Sequence, residues 1–542
     1  MKNYRIRICP SNKSILVQEG TTLLEALRMS GEKPDAPCGG KGTCGKCQVT
    51  VLEEGFRKVC RACQTVVDQD MTVELPEKGN RAQILSEGRR QKVEVLPGLD
   101  FMEGEQPESG RWCLMSFDIG TTTIAGYLMD GITGEELARD SCLNSQIQFG
   151  ADVISRAVMA VEEGTERLTA SVRSDINGLA ASLAQKGGIL PEDVALVSVV
   201  GNSCMHHLFL GITPKGLLKI PYMPEVTEGL RIPAADCRIN VNSKAELLML
   251  PNIAGFVGAD TAACMLWAGF DRIGPMTLLL DIGTNGEMVL GNKDRAVSCS
   301  TAAGPAFEGA RIECGMRGKE GAIDHVFMED GHLSYSVIGG GRPEGICGSG
   351  LLDAAAFLMK SGFLLPSGRM QKKEKLNTPE SVMYKNRIRE IGKRQAFVLA
   401  EEGETADGRP VYISQKDIRE LQLGKGAIAS GISLLCRELG IQVQEIEQVM
   451  IAGAFGNYMD PRSACEVGMI PSCLLDKIIS VGNAAGEGAR IAVLNREEYE
   501  RSKRMAVSVE FLELASDPLF QKIFIQNLDF PEQGVKKNCQ SF

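Results

Sequence analysis

Short stretches of alternating apolar and polar residues open the chain. Residues 4–8 and 14–17 alternate as the two strands of a hairpin do, and Thr21 is placed to cap a short helix that runs to Leu27. Residues 48–52 and 71–75 show two further strands after a segment rich in glycine and cysteine. The pattern predicts a small α+β domain over residues 1–78.

The rest of the chain has a different pattern. Residues 79–112 are rich in charge, glycine and proline, which predicts a linker that is helical in part around residues 81–92. Uninterrupted apolar strands then follow at 113–117, 276–280 and 449–452. A long amphipathic helix is predicted over 414–440, with an apolar side made of Ile418, Leu421, Ile428, Ile432, Leu435 and Leu439. We expect an α/β body with lobes at 113–272 and 273–515 and a tail at 516–542.

Composition narrows the kind of partner. The 542 residues are 44% hydrophobic and 24% charged, which is enough for two to four globular domains. A net charge of −10, without a run of lysines and arginines interleaved with aromatics, argues against nucleic acid or an anionic membrane as partner. The sequence shows neither an apolar segment of the roughly 18 residues that a membrane span needs nor a signal sequence, so we expect a cytoplasmic protein.

The cysteine-rich segment has the spacing of a metal-cluster loop. Cys38, Cys44 and Cys47 follow the pattern C-x5-C-x2-C, with glycines between them that let backbone N–H groups approach the sulfurs. Cys60 and Cys63 are both in reach as a fourth ligand. Two zinc-binding C-x2-C pairs are the alternative, but they leave Cys38 and the glycines unexplained.

A resemblance to ferredoxins favours one fourth ligand. Arg61-Ala62-Cys63-Gln64 resembles the setting of the last ligand in plant-type and vertebrate-type ferredoxins, and residues 1–78 as a whole are similar to their β-grasp fold. The resemblance implies one [2Fe–2S] cluster held by Cys38, Cys44, Cys47 and Cys63. The role of Cys60 stays open.

Two nearly identical acidic turns follow apolar strands in the body. The first is Asp118-Ile119-Gly120-Thr121-Thr122-Thr123, and the second is Asp281-Ile282-Gly283-Thr284-Asn285-Gly286-Glu287. A hairpin turn of this kind offers N–H and O–H donors to phosphate oxygens, while its aspartate holds Mg²⁺ through water. The repeat predicts two related lobes that close on a nucleotide.

The pair of turns resembles the phosphate loops of the superfamily of acetate and sugar kinases, heat-shock chaperone ATPases and actin. That resemblance implies a two-lobed α/β actin-like ATPase fold that binds ATP and Mg²⁺, with Asp118, Asp281 and Glu287 as the catalytic acids. Gly453-Ala454-Phe455-Gly456, after the strand at 449–452, matches the adenosine motif of the same superfamily. Gly258–Ala263 and Gly482–Gly486 are similar to the small-residue contacts between its two hinge helices.

For several other residues the sequence predicts a structural or a partner-facing role. Lys425 is expected to be a solvated helix lysine, and the adjacent His206 and His207 are expected to be structural, since neighbours on a helix point about 100° apart. The glycine-rich segment 345–350 suits a phosphate loop or a closely packed helix start. Residues 298–309 are rich in small and hydroxyl side chains, so Ser300 and Thr301 are expected to face a bulky ligand or partner.

One family resemblance covers nearly the whole chain. The segments CGGKGTCGKC, DIGTTT, VGNSCMHHLFLG, LDIGTNGEM, TAAGPAFEGARI and IAGAFGNYMD resemble those of the reductive activators of corrinoid-dependent proteins. The resemblance implies ATP-dependent reduction of an inactive Co(II) corrinoid to Co(I) on a methyltransferase system. It further implies a corrinoid protein as partner and an external low-potential electron donor, and it leaves a homodimer open.

Two functions of other classes remain as alternatives. One is a metabolite kinase regulated by a redox domain, and the other is an electron-carrier scaffold whose nucleotide site is only structural. An activator of the dehydratase type is disfavoured, because Cys299, Cys314 and Cys347 do not have the spacing of a cluster motif in the body.

Overall fold

A computed structural model of the protein describes residues 2–9, 13–32, 40, 47–53, 56–75 and 90–532. The description of the linker therefore begins at Arg90, and the predicted helix around residues 81–92 lies largely outside the described residues. Residues 90–92, which are described, are not helical.

The N-terminal domain is a five-stranded sheet with one helix packed on it. Its elements are β1 (Asn3–Cys9), β2 (Lys13–Gln18), α1 (Leu23–Met29), β3 (Gln48–Glu53), β4 (Phe56–Arg61) and β5 (Met71–Glu74). The strand order is β2-β1-β5-β3-β4, with β1 and β5 parallel. The sequence pattern did not predict β4, which pairs with β3 in a hairpin. The helix cap was assigned to the wrong residue, because Thr22 and not Thr21 accepts the hydrogen bond from the Glu25 amide.

The first lobe is built on a six-stranded sheet. Its strands are β6 (Cys113–Ile119), β7 (Thr123–Asp130), β8 (Glu136–Leu143), β9 (Val194–Gly201), β10 (Leu230–Pro233) and β11 (Glu246–Met249), in the order β10-β11-β9-β6-β7-β8. Its helices are α2 (Val153–Glu163), α3 (Glu166–Gly187), α4 (Ser203–Leu210) and α5 (Ala259–Ala268). Helices α2 to α4 bury their apolar sides against one face of this sheet.

The second lobe repeats this plan with insertions. It contains β12 (Thr277–Ile282), β13 (Gly286–Gly291), β14 (Ala296–Thr301), β15 (Ala322–Glu329), β16 (His332–Val337), β17 (Gly345–Ile346), α6 (Gly348–Lys360), α7 (Pro379–Met383), β18 (Ile388–Ile391), β19 (Arg394–Ala400), β20 (Val411–Ser414) and α8 (Gln415–Leu439). It ends with β21 (Gln448–Ala452), α9 (Gly453–Tyr458), α10 (Pro461–Glu466), β22 (Ile478–Gly482), α11 (Ala484–Leu494), α12 (Arg496–Ser508), β23 (Glu510–Phe511) and α13 (Phe520–Leu528). The central sheet has the order β22-β21-β12-β13-β14-β23.

The internal repeat is visible in the strand pairing. Strand β6 pairs antiparallel with β7 and parallel with β9, and β12 pairs antiparallel with β13 and parallel with β21. Each acidic turn therefore connects the first two strands of its lobe. The predicted pair of related α/β lobes is confirmed.

Helices α5 and α11 pack against each other between the lobes. A Cβ on Gly488 would lie 2.0 Å from the Ala263 carbonyl oxygen, so only glycine permits this approach. Helix α11 also packs on β6 and β9 of the first lobe, although it follows the strands of the second lobe in the chain. The contact surface of the two lobes is thus shared by residues from both.

Two segments that the sequence placed outside the lobes are packed on them. Val93, Val95, Leu99 and Phe101 of the linker contact the apolar core between the lobes. The Leu96 amide donates to the Leu494 carbonyl at 2.8 Å, and the Arg496 amide donates to the Leu96 carbonyl at 2.9 Å. In the tail, α13 packs along α8.

Candidate functional site

The structure brings two of the predicted cluster ligands together. Cys47, which is buried, precedes β3, and Cys63 lies in a turn after β4 that is fixed by a hydrogen bond from the Ala62 amide to the Cys47 carbonyl. The two sulfurs are 3.3 Å apart, close enough to share one metal centre. Gly40 approaches the same place with φ +99°, where a Cβ would lie 3.1 Å from Leu24 Cδ2.

Cys60 is the described one of the remaining cysteines of this segment. Cys38 and Cys44 lie outside the described residues. Cys60 is half-buried in β4, opposite Val49 of β3. Two converging thiols beside a glycine with positive φ fit the sulfur ligation of a cluster.

The first acidic turn is held from behind by amides and a guanidinium. Asn144 donates through Nδ2 to the Gly120 carbonyl and through its backbone amide to the Thr122 carbonyl, both at 2.9 Å. Asn202 Nδ2 donates to the Thr121 hydroxyl at 3.2 Å. Thr123 then opens β7, and its carbonyl oxygen would lie 2.8 Å from a Cβ on Gly120. The backbone of the turn is therefore fixed by hydrogen bonds from Asn144.

Arg156 adds a buried positive charge to this turn. Its Nη2 donates to the Thr121 carbonyl at 2.6 Å, and its Nε donates to the Gly150 carbonyl at 2.9 Å. The side chain is fully buried, and burial lowers its pKa to about 10, so it remains protonated at neutral pH. A guanidinium directly behind a phosphate loop favours anions in front of it.

The second turn is simpler. The Gly283 amide donates to the Asn285 carbonyl at 2.9 Å, and the Gly304 amide donates to the Thr284 carbonyl at the same distance. A Cβ on Gly283 would meet nothing closer than 3.9 Å, so this glycine leaves open space at the cleft.

Four carboxyl groups meet at the base of the cleft. The sequence predicted three of them, Asp118, Asp281 and Glu287, and it missed Asp260. Asp260 lies in the first turn of α5, within a segment that looked like a small-residue helix contact. An acid at the start of a helix that follows a strand was the signal that could have identified it.

The pKa of each of the four acids is raised above its ordinary value. Burial raises the pKa of Asp118 to about 7, opposed by a hydrogen bond from Asn483 and reinforced by the charge of Asp281. Burial together with the charges of Asp281 and Asp118 raises the pKa of Asp260 to about 8, and burial alone raises that of Asp281 to about 6. The pKa of Glu287 is raised mainly by burial and further by the charges of Asp260 and Asp281. A cation beside these carboxyl groups would offset their burial and mutual repulsion.

The arrangement of these acids is compatible with a cation that keeps its waters. In the described part of the chain, no group of three or more His, Cys, Asp or Glu side chains could hold a metal ion directly. Mg²⁺ keeps several waters in most protein sites and is bound through one or two carboxylates and substrate phosphates. The acids fit Mg²⁺ that arrives with a nucleotide.

The residues of the predicted adenosine motif have different surroundings in the structure. Gly453 has φ +84°, and a Cβ on it would lie 2.7 Å from Asp281 Oδ1, so the motif begins directly against the second acidic strand. Phe455 is turned inward, with its ring centroid 4.7 Å from that of Phe307, and a Cβ on Gly456 would collide with Ile451. Ala454 belongs to α9, and its side chain lies outside the described residues. Within the motif, Gly453 is the residue whose backbone lies close to the acids of the cleft.

One acid that the sequence did not single out connects both turns. Glu308 accepts a hydrogen bond from the Thr122 hydroxyl at 3.0 Å and one from the Thr284 hydroxyl at 2.5 Å. It lies at the end of a short helical turn, Pro305–Glu308, that follows β14. Nothing in the sequence indicated this bridge, because its three residues are far apart in the chain.

Several expectations need correction. Thr301 is buried and donates to the Gly286 carbonyl at 3.3 Å, so it does not face a partner, whereas Ser300 is half-buried opposite Glu287. Lys425 is not solvated, since it is 1% exposed and donates to the Asp529 carbonyl at 2.5 Å. The prediction failed because the tail covers this side of α8.

The other candidates have structural surroundings. His206 and His207 are buried in α4, and burial lowers the pKa of both, as expected of structural histidines. A Cβ on Gly348 would lie 1.9 Å from the Phe307 carbonyl oxygen, so the glycine-rich segment 345–350 provides a closely packed helix start.

Three family models match consecutive parts of the chain. They are the 2Fe-2S iron-sulfur cluster binding domain over residues 6–74, the RACo middle region over 113–273, and the C-terminal domain of RACo, the ASKHA domain, over 275–540. The ferredoxin-type domain and the actin-like fold predicted from the sequence are thereby confirmed. No helix in the described ranges is long and apolar enough to cross a membrane.

Relatives match over most of their length. The corrinoid activation enzyme RamQ of Eubacterium limosum is 33% identical, with 91% of this chain and 93% of that protein covered. The [Co(II) methylated amine-specific corrinoid protein] reductase of Methanosarcina barkeri is 25% identical over 78% of this chain and 77% of its own. The solved structure of a reductive activator for corrinoid, iron-sulfur protein aligns with a TM-score of 0.70 and 31% identity, covering 98% of each chain.

Proposed function

The chain belongs to the family of reductive activators of corrinoid proteins, and we propose that it reduces an inactive Co(II) corrinoid to Co(I) on a methyltransferase system at the expense of ATP. The observation that carries this function is the order of the parts. A ferredoxin-type domain precedes a two-lobed ATPase, and a corrinoid activation enzyme is similar to this chain over nearly its whole length.

The ferredoxin-type domain provides the redox site. We assign Cys38, Cys44, Cys47 and Cys63 as ligands of one [2Fe–2S] cluster, which supplies one-electron transfer when bound. The convergence of the Cys47 and Cys63 sulfurs supports this set. An external low-potential donor of electrons must reload the domain after each transfer.

The two acidic turns provide the nucleotide site. Both turns present donors for phosphate oxygens to the cleft, and Gly120 and Gly283 allow the backbone to approach. The donors are Thr121, Thr122 and Thr123 in the first lobe and Thr284 and Asn285 in the second. Asp118 and Asp281 orient Mg²⁺ through its water shell, and Glu287 and Asp260 complete the group of four acids at the bottom of the cleft. The raised pKa values of these acids support a site that is completed by a cation.

The energetic role of ATP follows from the redox potentials. A plant-type [2Fe–2S] centre has a potential of about −400 mV, which alone does not reduce an acceptor of much lower potential. For a one-electron couple, each tenfold preference of a partner for one redox state moves the potential by about 59 mV. Nucleotide-dependent binding of the corrinoid protein supplies such a preference.

The corrinoid protein is the partner in this function. We propose that Ser300, half-buried at the end of β14, lies near the corrinoid. Thr301 is buried and is not proposed for this role. Such a partner agrees with a protein that works in the cytoplasm.

The test is a reduction assay with the full-length chain. A Co(II) corrinoid protein, a low-potential reductant, ATP and Mg²⁺ are mixed, and Co(I) is followed by its visible absorption. We expect Co(I) to form only with both nucleotide and enzyme present. A phosphorylated metabolite in place of Co(I) would indicate a kinase, and Co(I) formation without ATP turnover would indicate an electron-carrier scaffold.

A further inference from the structure

Glu308 occupies the space between the two phosphate turns. Its Oε2 accepts from Thr122 of the first lobe at 3.0 Å, and its Oε1 accepts from Thr284 of the second lobe at 2.5 Å. One carboxylate therefore joins two loops that belong to different sheets. The side chain is half-buried and open to the cleft.

These hydrogen bonds have a direct consequence for phosphate binding. A threonine hydroxyl has a single hydrogen, so a hydroxyl that donates to Glu308 cannot donate to a phosphate oxygen at the same time. The two carboxylate oxygens satisfy both hydroxyls much as two oxygens of one phosphate would. A phosphate that enters between the turns must displace Glu308.

Glu308 lies beside the place where a phosphate would bind. The Thr122 and Thr284 hydroxyls donate to it, and the buried Arg156 guanidinium holds the backbone of the first turn. The acids deeper in the cleft differ, since burial and mutual repulsion raise the pKa of Asp118 to about 7 and that of Asp260 to about 8. Those acids are candidates for Mg²⁺, whereas the position of Glu308 between the phosphate turns makes it a candidate for accepting a proton from water.

We propose that Glu308 competes with a phosphate for the two threonine hydroxyls and acts as the base for the attacking water once ATP is bound. This inference rests on the proposed ATP hydrolysis. The water oxygen forms a bond to the γ-phosphorus, and the bond from that phosphorus to the β,γ-bridging oxygen breaks. ADP leaves, and the water proton passes to Glu308 and then to solvent.

The two roles predict an unusual pair of effects in one variant. Glu308→Gln removes the negative charge and can accept from only one threonine, so ATP should bind about tenfold more tightly. The same variant has no base for the water, so kcat should fall by about a hundredfold or more. A merely structural glutamate would lose affinity and turnover together.

The experiment measures binding and turnover separately in the full-length chain. The dissociation constant is measured with a non-hydrolysable ATP analogue and Mg²⁺, and kcat is measured with ATP. Glu329→Gln is the matched control, because Glu329 is an exposed carboxylate on β15 of the same lobe, and it should leave both values unchanged. Glu308→Asp keeps the charge but is too short to reach both hydroxyls, so it should bind more tightly than wild type and still turn over faster than Glu308→Gln.

The outcomes separate this inference from the function on which it rests. Tighter binding with lost turnover in Glu308→Gln supports it. Weaker or equal binding, or an unchanged kcat, overturns it while wild-type ATP hydrolysis leaves the proposed function standing. If Glu308→Gln does not fold, Glu308→Asp decides by the same two measurements. A wild-type chain that neither binds nor hydrolyses ATP would overturn both.

Discussion

The Cys47 and Cys63 sulfurs lie 3.3 Å apart, although sixteen positions separate the two residues in the chain. The β3–β4 hairpin between them creates this contact, because it returns the chain to the start of β3. Cys60 is three residues earlier, still inside β4, where it pairs with Val49. The end of the hairpin therefore selects Cys63 as the partner of Cys47.

Substitution of the two candidate cysteines should give opposite results. Cys63→Ser should abolish or severely alter the visible and electron paramagnetic resonance spectra of the [2Fe–2S] cluster, because a ligand is lost. Cys60→Ser is the matched control and should leave these spectra nearly intact. Loss of the cluster in Cys60→Ser alone would transfer the ligand role to Cys60.

The acidic turns should matter for turnover more than for the cluster. Asp118→Ala or Asp281→Ala removes a carboxylate that we assign to the orientation of Mg²⁺, so ATP hydrolysis should fall by about a hundredfold or more while iron content stays at the wild-type value. Phosphate release and bound iron are measured on the same samples. Wild-type turnover in both variants would disprove the two-turn assignment.

Neutralising Asp260 should stabilise the empty protein. The pKa of Asp260 is raised to about 8, so the folded state binds a proton that the unfolded state has lost above pH 4. Stability contributed by this group therefore decreases as the pH rises from about 4 to about 8. Asp260→Asn removes the buried charge, and it should raise the unfolding free energy at pH 8 by on the order of 1 kcal/mol.

The same substitution should have a smaller effect at pH 6, where Asp260 is already protonated in the folded state. Thermal unfolding without Mg²⁺ at the two pH values measures the difference. Asp260→Asn should also lower ATP turnover, since one of the four acids at the bottom of the cleft is missing. Equal stabilisation at both pH values would contradict the raised pKa.

The parts of the site that the sequence predicted are local. Each acidic turn is contiguous, and α8 has the length that its pattern indicated, with Ser414 and Gly440 as the caps at its two ends. Asp260, Arg156 and Glu308 were missed because each reaches the turns from a different element. Their roles depend on how the sheets and helices pack, which is a tertiary property.

The incorrect predictions have the same origin. Lys425 has a typical helix setting, and only the return of the tail to α8 buries it beside Phe530, whose ring centroid is 5.4 Å from Nζ. Thr301 is buried because the register of β14 places it opposite Gly286. Neither the path of the tail nor the register of a strand can be read from neighbouring residues.

The second half of the linker should be needed for a stable body. Arg90 forms an ion pair with Glu136 at 2.7 Å, and the segment from Val93 to Phe101 adds apolar contacts and hydrogen bonds to the Leu494–Arg496 region. A fragment of residues 90–542 should therefore unfold at a higher temperature than a fragment of residues 111–542, by several degrees. Equal melting temperatures would show that the docked linker adds nothing to the body.

Separation of the two domains should separate the two activities. The 90–542 fragment should retain ATP hydrolysis stimulated by the corrinoid protein but reduce no cobalt, because it lacks the ferredoxin-type domain. Residues 1–78 added in solution should restore little reduction, since a short linker provides an effective concentration of about a millimolar that free domains do not reach. Co(I) absorption and phosphate release are recorded in parallel, with the full-length chain as the reference. Cobalt reduction by the 90–542 fragment at the full-length rate would mean that electrons reach the corrinoid without the cluster, and the proposed order of transfer would be wrong.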